Sequence, residues 1–483
     1  MARQEESSFE RLRKGSFNRK QRRELSRQIA AGDPGLTIVN PNAGGIDVGN
    51  ESHFAAVPSN RDARPVREFG CWTEDLIHMA QWFVSCGIDT VAVQATGVYW
   101  IGLHEVLTKH GLRVVLVNAR NTKNVPGRKT DVQECQWLMK LHTYGLLRDS
   151  FHLAKEMEGI RTMWRLRDRH VAEASRAVQH MQKALTTMNI QLSNALSDIT
   201  GVSGMKIVTA ILNGERDPYH LADLRDKRVK ASREEVARSL EGTWRDDLLF
   251  ELRQAWNSYR FIHEQMQECD RQLEGYLKLL PDTPLAAPVS DAAPKPKKKS
   301  KKSGKARGNQ PVIPNLEAEL TRICGVNLCS IDGINVITAQ TIVAEIGTNV
   351  GAFPSEGQFT SWLGLTPNKD VTGGKVVGRG KRKVKNRVGE ALRMAATSLL
   401  KSDSYLGARY RHLRRQLPTK KSAVKAMARH LAELVYRMFR HGQAWVDRGA
   451  AHYETKRREL DLARLESIAR KKGFQLIPIA QAS

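Results

Sequence analysis

Between Gly44 and Thr130 the chain sets three strand-like runs in a row and only then begins to alternate strand with helix. GGIDV, His53–Val57 and Pro65–Phe69 are short, apolar and bounded by turn-forming residues, the marks of strands. The spacing then predicts a helix over Thr73–Ser85, the strand TVAVQ, a helix from Tyr99, the strand RVVLV and a helix opening near Thr130. Three consecutive strands followed by alternating helices and strands make a mixed sheet flanked by helices. That is the RNase H-like order.

From about residue 155 to 280 the strands stop and the apolar residues fall into heptads. Val171, Ala174, Val178, Met181, Leu185, Met188 and Leu192 step by three and four, and so do the apolar residues from Leu248 and Leu252 through Tyr259, Met266 and Leu273 to Leu280. Two long helices with narrow apolar seams result. Such seams must be covered, by each other as an antiparallel hairpin or by a second subunit. The expectation is a hairpin that also dimerises, with the polar, turn-rich GERDP and ADLRDKRVKAS at its distal end. Residues 281–314 read as a flexible linker, in which Pro, Ala, Gly and Ser accompany eight basic residues between Lys295 and Arg307. The domain plan is a basic arm over 1–40, an RNase H-like (RuvC-like) α/β domain over 41–154, a coiled-coil insertion over 155–280, the linker over 281–314, a mainly helical domain over 315–453 and a tail over 454–483.

Charge limits the partners. Lys and Arg number 77 against 51 Asp and Glu, a balance of +26, and setting aside the eight basic residues of the linker still leaves +18. Such a surplus points to a polyanion without saying whether it is DNA or RNA. A ribosomal or membrane-surface protein shares it. No apolar run approaches the roughly 18 residues needed to span a bilayer, and MARQEESSFERLRKG lacks the apolar stretch of a signal peptide, so the chain is expected to be cytoplasmic with no membrane partner. The six cysteines, at 71, 86, 135, 269, 324 and 329, form no CxxC pair, which argues for reduced packing residues over zinc or disulfides. His53, His104 and His142 lack metal-ligand spacing and are read as surface or core residues.

Asp47 ends the first strand in GGIDVGN, where flanking glycines leave the backbone open to close approach by a ligand. Asp131 and Glu134 stand three apart on a helix and so share one face, directly after the basic GRKT with Arg128 and Lys129. In an RNase H-like sheet the ends of the first and fourth strands and this helix converge, so that Asp47, Gln94, Asp131 and Glu134 meet. Carboxylates that meet this way bind Mg²⁺, and two such ions about 4 Å apart clamp the attacking and leaving oxygens of a phosphodiester. Taken singly, each residue is equally a solvated helix face or a turn Asp. Their order on these elements is what favours the metal site.

Farther along, VTGGK lies in a glycine-rich and basic segment that continues through Arg379, Lys381, Arg382 and Lys383. Gly373 and Gly374 let backbone N–H groups approach a phosphate while Lys375 and the later cations hold its neighbours. As a bare pattern TGG is also an ordinary turn. Upstream, SIDGINVITAQTIVAEIG has the pattern of a helix-hairpin-helix with Gly333 in the tight turn, a device that offers N–H groups to phosphate. An ordinary αα-hairpin accounts for the same residues.

GIDVGN, VQATGVYW, LVNARNTKNVPGRKTDVQECQWLMKLHTYGLL and, downstream, SWLGLTPNKDVTGGK with ALRMAATSLL resemble the DEDD insertion-sequence transposases of the IS-one-ten and IS-eleven-eleven group, with the eleven-eleven branch most similar. The likeness covers about residues 43–280 and 318–453. It implies a RuvC-like domain, a coiled coil and a C-terminal domain with a serine nucleophile. It further implies a Mg²⁺-dependent recombinase that cleaves and exchanges strands of donor and target DNA under a structured non-coding guide RNA (bridge RNA), as a homodimer that assembles to a tetramer. The family's serine falls on Thr372, its second acid, usually Glu, on Gln94, and its fourth, usually Asp, on Glu134. Gln94 offers a carbonyl oxygen and no charge, and the threonine methyl crowds an in-line attack. Two other classes therefore stay open. One is a hydrolytic nuclease or junction resolvase, which needs the acidic site and not Thr372; the other is a nucleic-acid-binding relative without catalysis.

Overall fold

The structure is a computed structural model that describes residues 37–94, 97–118, 130–285, 309–367, 370–372, 375–378, 386–442, 445 and 447–475. The basic arm up to residue 36, Arg128, Lys129, the lysine run of 295–307, Gly373, Gly374, Arg379, Lys381, Arg382 and Lys383 lie outside the described residues. Contacts divide the chain into two compact units, Met1–His152 with Thr372–Lys375, and Leu153–Val371 with Val376–Ser483.

In the first unit, β1 (Ala43–Val48), β2 (Ser52–Ala56) and β3 (Val66–Gly70) are followed by α1 (Thr73–Ser85), β4 (Thr90–Gln94), α2 (Trp100–Lys109), β5 (Arg113–Val117) and α3 (Asp131–Thr143). The sheet order is β3-β2-β1-β4-β5; β1 pairs antiparallel with β2 and parallel with β4, and β4 parallel with β5. This mixed five-stranded sheet is consistent with the RNase H-like expectation. Strand residues alternate between faces. Ile46 and Val93 pack with Met79 and Phe83 of α1 and Leu103 and Leu107 of α2. The alternate positions meet α3, where Ala92 and Val117 pack on Leu138, and Ala56 on Cys135 and Met139. His142 is a core residue: its Nε2 lies 2.8 Å from Thr90 Oγ1, and burial first, then Arg113, holds it down at about 4.

The second unit opens with α4 (Lys155–Thr187), continues through the short α5 (Leu192–Ala195), α6 (Val202–Leu212), α7 (Pro218–Asp223) and α8 (Arg233–Ser239), and returns along α9 (Asp246–Leu279). The two long helices run antiparallel: the Tyr276 ring covers Gly159 at one end, and Met188 C=O accepts from Thr243 N–H at 2.8 Å at the other. The seam residues cover each other, as the hairpin reading expects. The distal end is more than a turn. Leu192, Ile207, Ile211, Leu221, Val236 and Leu240 share one core with Met181, Leu185, Leu252 and Tyr259, so the short helices form a packed cap. The polar stretches there are helix starts: Asp217 accepts from Tyr219 and His220 N–H at 2.8 Å, and Ser232 with Glu235 forms a capping box.

After the lysine-rich segment come α10 (Leu316–Cys324), α11 (Val336–Ile346), α12 (Glu356–Trp362), the strand pair β6 (Asp370–Thr372) and β7 (Lys375–Gly378), then α13 (Arg387–Ser398), α14 (Tyr405–Gln416), α15 (Lys420–His441) and α16 (Gly449–Lys471). This region packs on the open end of the α4–α9 hairpin. Trp164 Nε1–H donates to Thr341 Oγ1 at 3.1 Å, and the buried Glu345 accepts from Arg165 at 2.8 and 2.6 Å. Both flanks of the lysine-rich segment are tied down there, Thr283 N–H to Arg322 C=O at 3.0 Å and Val312 N–H to Asp270 Oδ2 at 2.9 Å.

Asp270 also closes a buried pair with Arg167, at 2.5 and 3.3 Å and with side chains 3% and 4% exposed. Removing one partner of such a pair strands the other charge, whereas replacing both by apolar residues can be neutral. Asp270→Ala is expected to lower unfolding stability by about 3–5 kcal/mol in a urea titration, with Arg167→Met/Asp270→Leu recovering much of the loss. An unchanged urea midpoint for Asp270→Ala would remove the pair from the account of stability.

The six cysteines are free, with Cys86, Cys135, Cys269 and Cys324 buried. Among the described residues no helix is long and apolar enough to cross a membrane.

Candidate active site

Asp47 is the next to last residue of β1, one step beyond the Ile46–Val93 pair of the parallel ladder, and Gln94 is the corresponding residue of β4. Because side chains alternate, Asp47 shares the face of Gly45, and Gln94 that of Ala92. That face is covered by α3, which approaches β1 so closely that a Cβ on Gly45 would stand 2.4 Å from Cys135 C=O and Met139 N. The glycines around Asp47 therefore serve packing rather than ligand approach, a correction to their sequence reading. Gly44 likewise accommodates Phe83, and Gly49 the carbonyl of Ser52 in the turn to β2.

Thr130 caps α3, its side chain accepting from Gln133 N–H at 3.3 Å, so the helix begins at Asp131. Asp131 precedes Cys135 by one turn, and Cys135 is the residue that abuts Gly45. The consequence is electrostatic. Burial first, and then the fields of Asp47 and Asp131 together, push the Cys135 thiol up to about 12. One thiol thus senses carboxylates from two elements 84 residues apart in sequence. Glu134 follows on the same helix and is half-buried, as is Asp47; Asp131 is exposed and Gln94 is 7% exposed. The sequence reading missed Gly45 and Cys135, for which the paired glycines of AGGIDV were the available signal.

Among the described residues no three His, Cys, Asp or Glu side chains are grouped so as to hold a metal ion. By donor type the set still suits Mg²⁺, since Asp47, Asp131 and Glu134 offer carboxylate oxygens and Gln94 an amide oxygen, the hard oxygens that ion takes.

Thr372 ends β6 and Lys375 opens β7, and Thr372–Lys375 groups with the unit that carries Asp47 and Asp131. Gly333 sits at φ 89° before α11, where a Cβ would meet Ala395 C=O at 2.8 Å. Its requirement for glycine thus follows from the approach of α13. The element before it is a 3-10 turn, Leu328–Ser330, and α11 is capped by Asn335, which accepts from Thr338 N–H at 2.9 Å. Ser361 lies in α12, beside the buried Leu363.

The family profile of the DEDD transposases of the IS110 type matches residues 44–190, which contain all four positions of the acidic set. The profile of the IS116/IS110/IS902 transposase family matches residues 326–411, which contain Gly333 and Thr372. The chain belongs to the IS110 family of DEDD transposases. None of the curated proteins matches it. For an IS110-family transposase the substrate class is DNA; the first matched segment runs from the first contact unit into α4 of the second, and the later one lies in the second apart from Thr372–Lys375.

Proposed function

We propose that this transposase recombines donor and target DNA under a structured guide RNA. Asp47, Asp131 and Glu134 hold Mg²⁺, with the Gln94 carbonyl beside them, and Thr372 is the nucleophile. The observation that supports this reading is that Asp47 and Gln94 stand on neighbouring strand ends and that α3, which Asp131 opens, packs against β1 at Gly45. The grouping of Thr372–Lys375 with that unit supports the hydroxyl's role. Bound Mg²⁺ supplies charge for the oxygens of the reacting phosphate. The Thr372 hydroxyl oxygen forms a bond to phosphorus as the bond from phosphorus to a sugar oxygen breaks. Its proton ends on the departing sugar oxygen, no water is consumed, and the reverse attack rejoins a strand. Arg128, Lys129, Lys375, Arg379, Lys381, Arg382 and Lys383 bind the flanking phosphates, with the backbone at Gly333, Gly373 and Gly374. The protein acts as a homodimer that assembles to a tetramer.

The test is to trap the reaction on a nicked suicide DNA substrate. The expected result is a covalent protein–DNA adduct that forms only with a divalent metal and, after proteolysis, lies on the peptide containing Thr372. Cleaved DNA with no adduct would replace this reading by the hydrolytic one, and neither product by the binding-only one. Purified protein should carry one discrete RNA; random RNA binding equally well would remove the guide.

A further inference from the structure

Along α4 the solvent face is unusually uniform. Arg169, Arg176 and Lys183 recur at intervals of seven, each two residues before a seam residue, Val171, Val178 and Leu185. In a heptad helix that is the position farthest from the partner strand, where a side chain has no part in pairing. All three are exposed. Among the described residues, the three cationic side chains enter no ion pair or hydrogen bond; at Lys183 only the backbone is engaged, its carbonyl accepting from Thr187 Oγ1 at 2.8 Å. Glu173, the acid beside Arg176, is taken instead by His170 at 3.0 Å.

A face kept charged only for solubility would be mixed in sign on both helices of the hairpin. Here the signs are separated: α4 has seven Lys and Arg against four Asp and Glu, and α9 has four against seven. The matching outward positions of α9, two before its seam residues, are Phe250, Asn257, Glu264, Arg271 and Lys278. The positive row is therefore a property of α4 alone.

We infer that the outward face of α4, through Arg169, Arg176 and Lys183, binds the phosphate backbone of a DNA duplex. At 1.5 Å per residue the three cations span about 21 Å, the length of about six base pairs at 3.4 Å each. A rigid helix holding cations at fixed intervals suits a phosphate row, and because it reads charge and not base edges it adds affinity without sequence. DNA is the occupant because it is the substrate class of the family, and the inference rests on the transposase reading to that extent.

The experiment compares three full-length proteins on a labelled DNA duplex across a salt series: wild type, Arg169→Gln/Arg176→Gln/Lys183→Gln, and a control with the same charge change on α16, Arg458→Gln/Arg464→Gln/Arg470→Gln. The α4 variant is expected to lose at least about tenfold in affinity and to flatten the slope of log affinity against log salt by about 2–3, while the control loses much less. Unchanged affinity and slope overturn the inference. So does an equal loss in the control, which would make net charge the cause. Loss of RNA binding with DNA binding intact assigns the row to the guide instead, and a lower assembly mass for the unliganded α4 variant assigns it to a second subunit; either outcome overturns the DNA assignment. Adduct trapping by wild type at saturating DNA judges the proposed function separately, since it does not depend on this row.

Discussion

Asp47→Ala and Asp131→Ala are each expected to abolish metal-dependent strand exchange, by at least about a thousandfold, or about 4 kcal/mol of barrier. The two carboxylates come from separate elements, a strand end and a helix start, and under the proposed function a Mg²⁺ ion would need both, so neither would compensate for the other. Folding should survive, because Asp47 is half-buried and Asp131 exposed, and neither truncation empties a packed core. Circular dichroism and retained nucleic-acid binding would show that. Gln94→Glu is the informative companion. It adds a charge at a position that is 7% exposed and beside Asp47 in the sheet, so a metal ligand there should lower the Mg²⁺ concentration needed for half-maximal activity. Wild-type exchange by either alanine variant would dismiss the acidic site, and an unchanged Mg²⁺ requirement in Gln94→Glu would put that residue outside the ligand set.

Thr372→Ala is expected to abolish the covalent adduct and recombination while leaving DNA and RNA binding within about twofold, since under the proposed function the hydroxyl would form the bond, whereas nucleic-acid affinity comes mainly from charge. Thr372→Ser should keep or raise activity, because it retains the oxygen and removes the methyl that restricts χ1 and the line of attack. The alanine and serine variants together separate chemistry from structure: a threonine needed only for the β6–β7 turn would leave the adduct in place in both. An adduct found on another residue, Ser361 above all, or full recombination by Thr372→Ala, would move the nucleophile elsewhere.

Much of the first unit was legible because strand and helix periods differ so plainly there. The helix expected over Thr73–Ser85 occupies those residues, and TVAVQ and RVVLV are β4 and β5. The heptads announced α4 and α9 for the same reason. Arg167 was a signal left unread: it stands four residues before Val171, on the seam itself, where a charge demands a buried partner, and Asp270 is that partner. The capped tip of the hairpin was illegible from composition, because Asp217 and Ser232 look alike whether they end a loop or begin a helix. Gly44 and Gly45 announced that something approaches closely. They could not say that it is Phe83 and α3, since a missing side chain carries no information about its neighbour.

The sequence by itself determined the elements and the chemistry available on them: strands from alternation, long helices from heptads, and acids at the end of one strand and the start of one helix. Only the tertiary structure decided that these acids share a neighbourhood. Periodicity is a local property, felt over one turn or one pleat, whereas the approach of Asp47 and Asp131 depends on β1 pairing parallel with β4 and on α3 lying against Gly45 closely enough for Cys135 to sense both charges. The pairing of Arg167 with Asp270 and the docking of Glu345 on Arg165 were decided in the same way, by which surfaces the chain had to bury, because a buried charge selects its partner in space and not along the sequence.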